Sequence, residues 1–204
     1  MMEKLRIFIT GVGGQGSLTA SRLLAEAALQ AGQNVVVSEV HGMAQRGGVV
    51  ETAVLIGEIH SPTIGGSEAQ VILGFEPIET LRAMNKASRE TLVITNTRPI
   101  VPITVSLGQS QYPEVEETLA QIEGFVGSGR LIALDATGLA KEAGSAIATN
   151  MVMVGALAAT GRLPFSAAIL KETISKLAPK YAAVNLKAFE LGYGAVADHS
   201  NEPL

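Results

Sequence analysis

The sequence predicts an α/β fold, a doubly wound and mostly parallel sheet with a helical C-terminal third, and three observations predict it. Short β-branched runs end at glycine, asparagine or aspartate and alternate with amphipathic stretches. A Gly-x-Gly-x-x-Gly segment, Gly11 to Gly16, follows the first run and opens the first amphipathic stretch. From about residue 137 onward the strand signal gives way to helical periodicity. Together they describe a Rossmann-like sheet in one domain spanning residues 1–204.

Each element has its own justification. Leu5 to Thr10 is a short apolar run ending at glycine, hence a buried strand. Ser17 stands in capping position before Ala20, Leu23, Leu24, Ala27 and Ala28, which share one helix face, and Ala31-Gly32 supplies the stop. Val35 to Val40 is a second strand, expected to run parallel to the first because a helix separates them. A glycine-rich segment, His41 to Gly48, precedes an extended run from Val49 to Ile56. Val71 to Phe75 and Leu92 to Thr95 read as strands, with Pro77 suited to the first turn of the intervening helix. Glu114 to Ile122 reads as helix and Leu131 to Asp135 as strand. Three helices complete the chain: Met151 to Thr160 behind a capping Asn150, a second opened by Ser166 and ended by Pro179, and a third from Tyr181 to Val196.

Composition narrows the function. Hydrophobic residues make up 47% of the 204 residues and charged ones 17%, against roughly 25% charged in an ordinary soluble domain. There is no cysteine, which excludes disulfides, a thiolate zinc site, a Cys-ligated iron–sulfur cluster and a thiol nucleophile. A net charge of −4 argues against a dedicated nucleic-acid binder. Met151 to Ala159 is too short an apolar run for the ~20 residues of a membrane span, and Leu5 to Thr10 is too short for a signal peptide. A cytoplasmic protein with no membrane association is expected. The scarcity of charge has two explanations, close packing of small residues or a surface covered by a partner, and composition does not choose between them.

Gly11, Gly13 and Gly16 have the context of a dinucleotide loop, since glycines permit a sharp turn and a helix N-terminus offers free N–H groups to an anion. Glu39, at the end of the second strand, lies 23 residues beyond Gly16, near the ~20 expected of an acidic residue on a ribose hydroxyl. A stand-alone NAD(P)-binding oxidoreductase is therefore one reading. Against it, a second glycine loop follows Glu39 directly and would crowd the crevice. Glycines that only let strand and helix pack closely are another reading, consistent with a non-catalytic oligomeric scaffold.

The pair Gly11-Val-Gly-Gly-Gln-Gly16 and Ser38-Glu-Val-His-Gly-Met-Ala-Gln-Arg-Gly-Gly48 resembles the gamma-type subunit of 2-oxoacid:ferredoxin oxidoreductases, in the version found in indolepyruvate enzymes. Gly74-Phe-Glu-Pro-Ile-Glu79, Asn96-Thr97 and Asn150-Met-Val-Met-Val-Gly155 fall where that family has similar elements, so the resemblance runs from Arg6 to about Leu191. It implies oxidative decarboxylation of a 2-oxoacid to an acyl-CoA with reduction of ferredoxin. Thiamine diphosphate and [4Fe-4S] clusters are implied on a large alpha-type partner, coenzyme A as a co-substrate near this chain, and no cofactor held by this chain alone. A homodimer of the isolated chain is compatible with it.

Among single residues, Arg46 in the second loop is placed to fork onto a carboxylate or phosphate, the plainer alternative being a salt bridge to Glu39. His41 is either a proton carrier near the reacting carbonyl or a loop histidine bonded to a carbonyl. These two are the catalytic candidates. Gly11, Gly13, Gly14, Gln15, Gly16, Glu39, Gln45, Gly47, Gly48, Asn96 and Asn150 are the cofactor-binding candidates, Asn150 being first a helix cap. Met43 is a flexible apolar contact or simple loop packing. His60 and His199 have no partners at ligand spacing, so no metal site is expected.

Overall fold

A computed structural model describes residues 4–41, 48–59, 61–102, 105, 107–109 and 111–197, with residue 41 by its backbone alone. Its elements in chain order are β1 (Leu5–Val12), α1 (Ser17–Gln30), β2 (Val35–His41), β3 (Val49–Ile56), β4 (Ala69–Gly74), α2 (Pro77–Arg82), β5 (Ala87–Asn96), α3 (Val115–Val126), β6 (Leu131–Leu134), α4 (Ala136–Ala143), α5 (Thr149–Ala159), α6 (Ala167–Leu177) and α7 (Ala182–Ala197). The six strands form one sheet in the order β2-β3-β1-β4-β5-β6. From β1 through β6 the pairings are parallel, whereas β3 runs antiparallel to both β1 and β2.

Alternation along β1 sends Ile7 and Ile9 to one face and Phe8 to the other, and both faces are covered. On the first, Ile7 and Ile9 pack with Leu23, Leu24 and Ala27 of α1 and with α5 and α7 through Met153 and Phe189. On the second, Phe8 joins Ile72, Val93 and Ile122, the last from α3. Helices on both faces of a largely parallel sheet make the doubly wound arrangement.

One expectation is corrected. β2 does run in the direction of β1, but it is not its neighbour, because β3 lies between them. The reason is length: only residues 42–48 separate β2 from β3, too few for the dozen or more residues of a parallel crossover. An antiparallel pair is what so short a connection permits, and β3 then docks on β1.

The helical third explains much of the composition. α5 is buried on nearly every side, as a helix apolar all round must be. It meets α7 backbone to backbone through two glycines. A Cβ on Gly155 would stand 2.1 Å from the Phe189 carbonyl oxygen, and one on Gly192 would stand 2.0 Å from that of Val152. Small residues packed this tightly leave little surface for charges. Among the described residues, no helix is long and apolar enough to cross a membrane.

Candidate functional site

The carboxyl ends of β1, β4, β5 and β6 lie along one edge of the sheet, where open α/β sheets hold their ligands. The glycine loop turns there. Gly14 (φ +99°) and Gly16 (φ +81°) adopt left-handed conformations that a Cβ disfavours. Gly16, not Ser17, is the N-cap of α1, and no side chain caps that helix. Ser17 is instead buried as its first residue.

Gln15 fastens the loop. Its Oε1 accepts from the Val12 N–H at 2.7 Å, and its Nε2 donates to the Phe75 carbonyl at 2.7 Å. A Cβ on Gly11 would collide with both ends of this bridge, at 2.8 Å from Gln15 Oε1 and 2.8 Å from Phe75 Cβ. The Phe75 carbonyl also accepts from Asn96 Nδ2 at 3.1 Å, using its second lone pair. Asn96, wholly buried, donates as well to Thr137 Oγ1 at 3.1 Å. One carbonyl thus joins the loops after β1, β4 and β5.

Glu76 anchors the next layer. It is 2% exposed. Its Oε2 caps α2 by accepting from the Glu79 N–H at 3.0 Å. Its Oε1 accepts from the Ile100 N–H at 3.3 Å and from the Tyr112 hydroxyl. Burial first, and then the bond to the Glu76 carboxylate, holds the Tyr112 hydroxyl well above its usual range. Burial likewise raises Glu79, against the pull of Arg82, whose guanidinium donates to Glu79 Oε1 at 2.7 Å.

Arg98 and Asp135 form the exposed layer. Two guanidinium nitrogens reach Asp135 Oδ2, at 3.0 and 2.8 Å. Asp135 Oδ1 meanwhile accepts from the Gly138 N–H at 2.8 Å, capping α4. The bond to Arg98 holds the Asp135 carboxyl below its usual range, and the same bond raises Arg98. Between these groups lies a cleft of about 280 Å³ lined by Gly14, Gln15, Arg98, Ile100, Ile147 and Thr149, among others. Its rim is apolar, with Ile147 85% exposed and Ile100 and Val101 exposed beside it.

The structure brings some sequence candidates together and separates others. Gly13 donates its N–H to the Gly48 carbonyl at 2.9 Å, so the end of the second glycine loop meets the first. Gln15 and Asn96 converge on Phe75. Asn150 reaches the same corner: its Nδ2 donates to the Gly16 carbonyl at 3.4 Å, and its Oδ1 accepts from the Met151 N–H. It sits inside α5, whose N-cap is Ala148. Glu39 is not brought in. It is exposed on the edge strand and pairs with Thr52, which pairs with Ile9. That places it two strand spacings, about 10 Å, from β1. The dinucleotide arrangement needs the acidic residue on the strand beside β1, and β3 occupies that place. Met43, Gln45, Arg46 and Gly47, the His41 side chain, His60 and His199 lie outside the described residues.

Sequence reasoning missed Arg98, Asp135, Glu76 and Tyr112. Two carried a local signal, since Glu76 and Asp135 each stand three residues before the amide they cap. The partners of Arg98 and Tyr112 lie 37 and 36 residues away, beyond the reach of any local pattern. The arrangement can hold and orient a ligand or a partner group. Among the described residues of the cleft, no nucleophile stands bonded to a base.

Comparison with known proteins agrees with this architecture. Residues 6–195 match the pyruvate ferredoxin/flavodoxin oxidoreductase family. The chain is 46% identical over 202 residues to the indolepyruvate oxidoreductase subunit IorB of Pyrococcus horikoshii, covering 98% of this chain and 100% of that one. It is 26% identical to the 2-oxoglutarate synthase subunit KorC of Archaeoglobus fulgidus, over 95% of this chain and 88% of that one. In fold it resembles the pyruvate oxidoreductase subunit PORC of Thermotoga maritima, with a TM-score of 0.72 at 23% identity over 94% and 96% of the two chains. It also superposes with a TM-score of 0.72 on part of the 2-oxoglutarate:ferredoxin oxidoreductase of Magnetococcus marinus, at 21% identity over 97% of this chain and 32% of that one. The chain belongs to the pyruvate ferredoxin/flavodoxin oxidoreductase family, as one of its small subunits.

Proposed function

We propose that this chain is the small subunit of an oxidoreductase acting on indolepyruvate or a related aryl pyruvate, active only when joined to a large alpha-type subunit. In the overall reaction the 2-oxoacid loses carbon dioxide, its acyl carbon is transferred to the sulfur of coenzyme A, and two electrons pass to ferredoxin. The observation that carries this reading is the match, at 46% identity over 202 residues, to an indolepyruvate oxidoreductase subunit of nearly the same length. A chain with no cysteine offers no thiolate to an iron–sulfur cluster, so we assign the clusters and thiamine diphosphate to the partner. Bound there, thiamine diphosphate would supply the decarboxylation chemistry.

This chain's part is to complete the reaction chamber. The cleft between Gly14 and Arg98 faces the partner and receives the anionic portion of coenzyme A or of the 2-oxoacid. Arg98, two of whose guanidinium nitrogens are held by Asp135, keeps its third at the mouth for an anion, and Gly14 and Gln15 of the glycine loop line the cleft with it. From the sequence alone we assign Arg46 and His41 to the same chamber, together with Gln45, Gly47 and Gly48 of the segment between β2 and β3. The apolar rim at Ile100, Val101 and Ile147 belongs to the surface that the partner covers. The reading places the protein in the cytoplasm, where ferredoxin and coenzyme A are available.

Co-expression with a large subunit bearing thiamine diphosphate and clusters tests it. The expected result is ferredoxin reduction dependent on both indolepyruvate and coenzyme A, abolished when this chain is omitted. Replacing Arg46→Ala in the complex should lower turnover, and unchanged turnover would remove that loop from the chamber. Tight binding of NAD(H) by the chain alone would contradict the reading.

A further inference from the structure

Glu76 has more hydrogen bonds than the cap of a six-residue helix requires. Its two oxygens take three donors, one from α2 and two from the connection between β5 and α3: the Glu79 N–H, the Ile100 N–H and the Tyr112 hydroxyl. Two of these donors bracket the connection that leaves β5 and leads to α3. That connection supplies Arg98, Pro99 and Ile100 to one wall of the cleft, with Gly14 and Gln15 on the wall opposite. The carboxylate is almost fully buried, while Arg98, Ile100 and Val101 on the strap are exposed. A buried carboxyl group bonded on both oxygens is a strong and directional fastening.

The peptide to which Glu76 belongs extends the same logic. The Phe75 carbonyl accepts from Gln15 and Asn96, and the Phe75 N–H donates to the Thr10 carbonyl at 2.8 Å. Phe75 therefore sets the glycine-loop wall, and Glu76, the next residue, sets the strap wall. Two adjacent residues just beyond β4 thus bond to both segments that line the cleft.

We infer that Glu76 is a positioning residue for the oxidoreductase reaction. It clasps the strap through Ile100 and Tyr112 so that Arg98 and Ile100 stand at a set distance from the glycine loop. The inference rests on the reading that this cleft faces the shared reaction chamber. A merely structural cap would use the Oε2 bond alone. The clasp needs Oε1 as well, and only a carboxylate accepts on both oxygens. A glutamine offers one acceptor and turns its amide donors toward one of the N–H or O–H groups.

The test uses Glu76→Gln and the milder Tyr112→Phe, which removes one donor to the clasp and leaves the α2 cap intact. Deuterium uptake in the full chain reads the clasp itself: residues 98–102 should exchange at least tenfold faster in Glu76→Gln, with β1 and β4 unchanged. Steady-state kinetics of the assembled complex read its role. Both variants should raise the KM for coenzyme A or for the 2-oxoacid several-fold, with a smaller change in kcat, and Glu76→Gln should exceed Tyr112→Phe. If the wild-type complex does not reduce ferredoxin, the reading of the chamber fails. If it does, and Tyr112→Phe and a folded Glu76→Gln match it in both constants, the inference about Glu76 is overturned. Faster exchange across the whole chain would also overturn it, since the effect would then be one of global stability.

Discussion

Replacing Gly16→Ala perturbs the glycine loop in a way the geometry makes quantitative. Gly16 sits at φ +81°, where an L-residue costs about 1–2 kcal/mol. Its new Cβ would stand 2.7 Å from Asn150 Nδ2 and 3.1 Å from Asn150 Cγ. Asn150 is 5% exposed and bonded to both Gly16 and Met151, so it has little room to yield. Forcing it aside adds about 1–3 kcal/mol, the usual cost of overpacking. Gly14→Ala is the control. It shares the left-handed backbone, at φ +99°, but its Cβ would meet nothing within 4 Å, so it carries the strain alone. For a chain of this size 1 kcal/mol shifts Tm by about 2–4 °C. Circular dichroism melts should then show a loss of roughly 10 °C for Gly16→Ala against roughly 5 °C for Gly14→Ala. In an Asn150→Ala background the excess of the first over the second should vanish, by the logic of a double-mutant cycle. Equal losses in the two single variants, or an excess that survives removal of Asn150, would refute the contact.

Three further outcomes follow from other sites. Arg98→Ala should leave stability almost unchanged, because its ion pair with Asp135 is largely exposed; melts and steady-state kinetics together should show an almost unaltered Tm with impaired turnover of the complex. Glu79 is raised by burial, so its folded state favours the protonated form. Its contribution is full below the unfolded carboxyl value and is lost as pH rises through the raised folded value. Urea midpoints for Glu79→Gln should accordingly gain on the wild type between pH 4 and pH 8, and a constant difference would contradict this. Gly155→Ala should lower Tm despite the gain of about 1 kcal/mol in helix propensity. Its Cβ would be 2.1 Å from the Phe189 carbonyl oxygen, and α5 and α7 must separate to admit it.

The elements were legible because their causes are local. The β-branched runs of β1, β4 and β5, Pro77 at the start of α2 and Ser166 before α6 each announce themselves within a few residues. The position of β3 was legible in principle from the short connection before it, but an intervening helix between β1 and β2 suggested adjacency instead. The site was legible only as a list of residues. Gly13 and Gln15 belong to a recognisable loop, yet their partners Gly48 and Phe75 come from other parts of the chain. Asn150 lies 134 residues from Gly16, and nothing near either one signals the other. Of the two causes proposed for the scarcity of charge, close packing of small residues is seen in the glycine-mediated contact of α5 with α7, while Ile147 and Val101 are apolar side chains left exposed.

The central claim is that this chain completes a reaction chamber whose redox centres lie on a partner. Ferredoxin reduction by the reconstituted pair, measured with indolepyruvate and coenzyme A while this chain is titrated against a fixed amount of large subunit, tests it most directly. Activity should rise from near zero and saturate at a fixed ratio of the two chains. Full activity of the large subunit alone, or indolepyruvate oxidation by this chain alone, would contradict it.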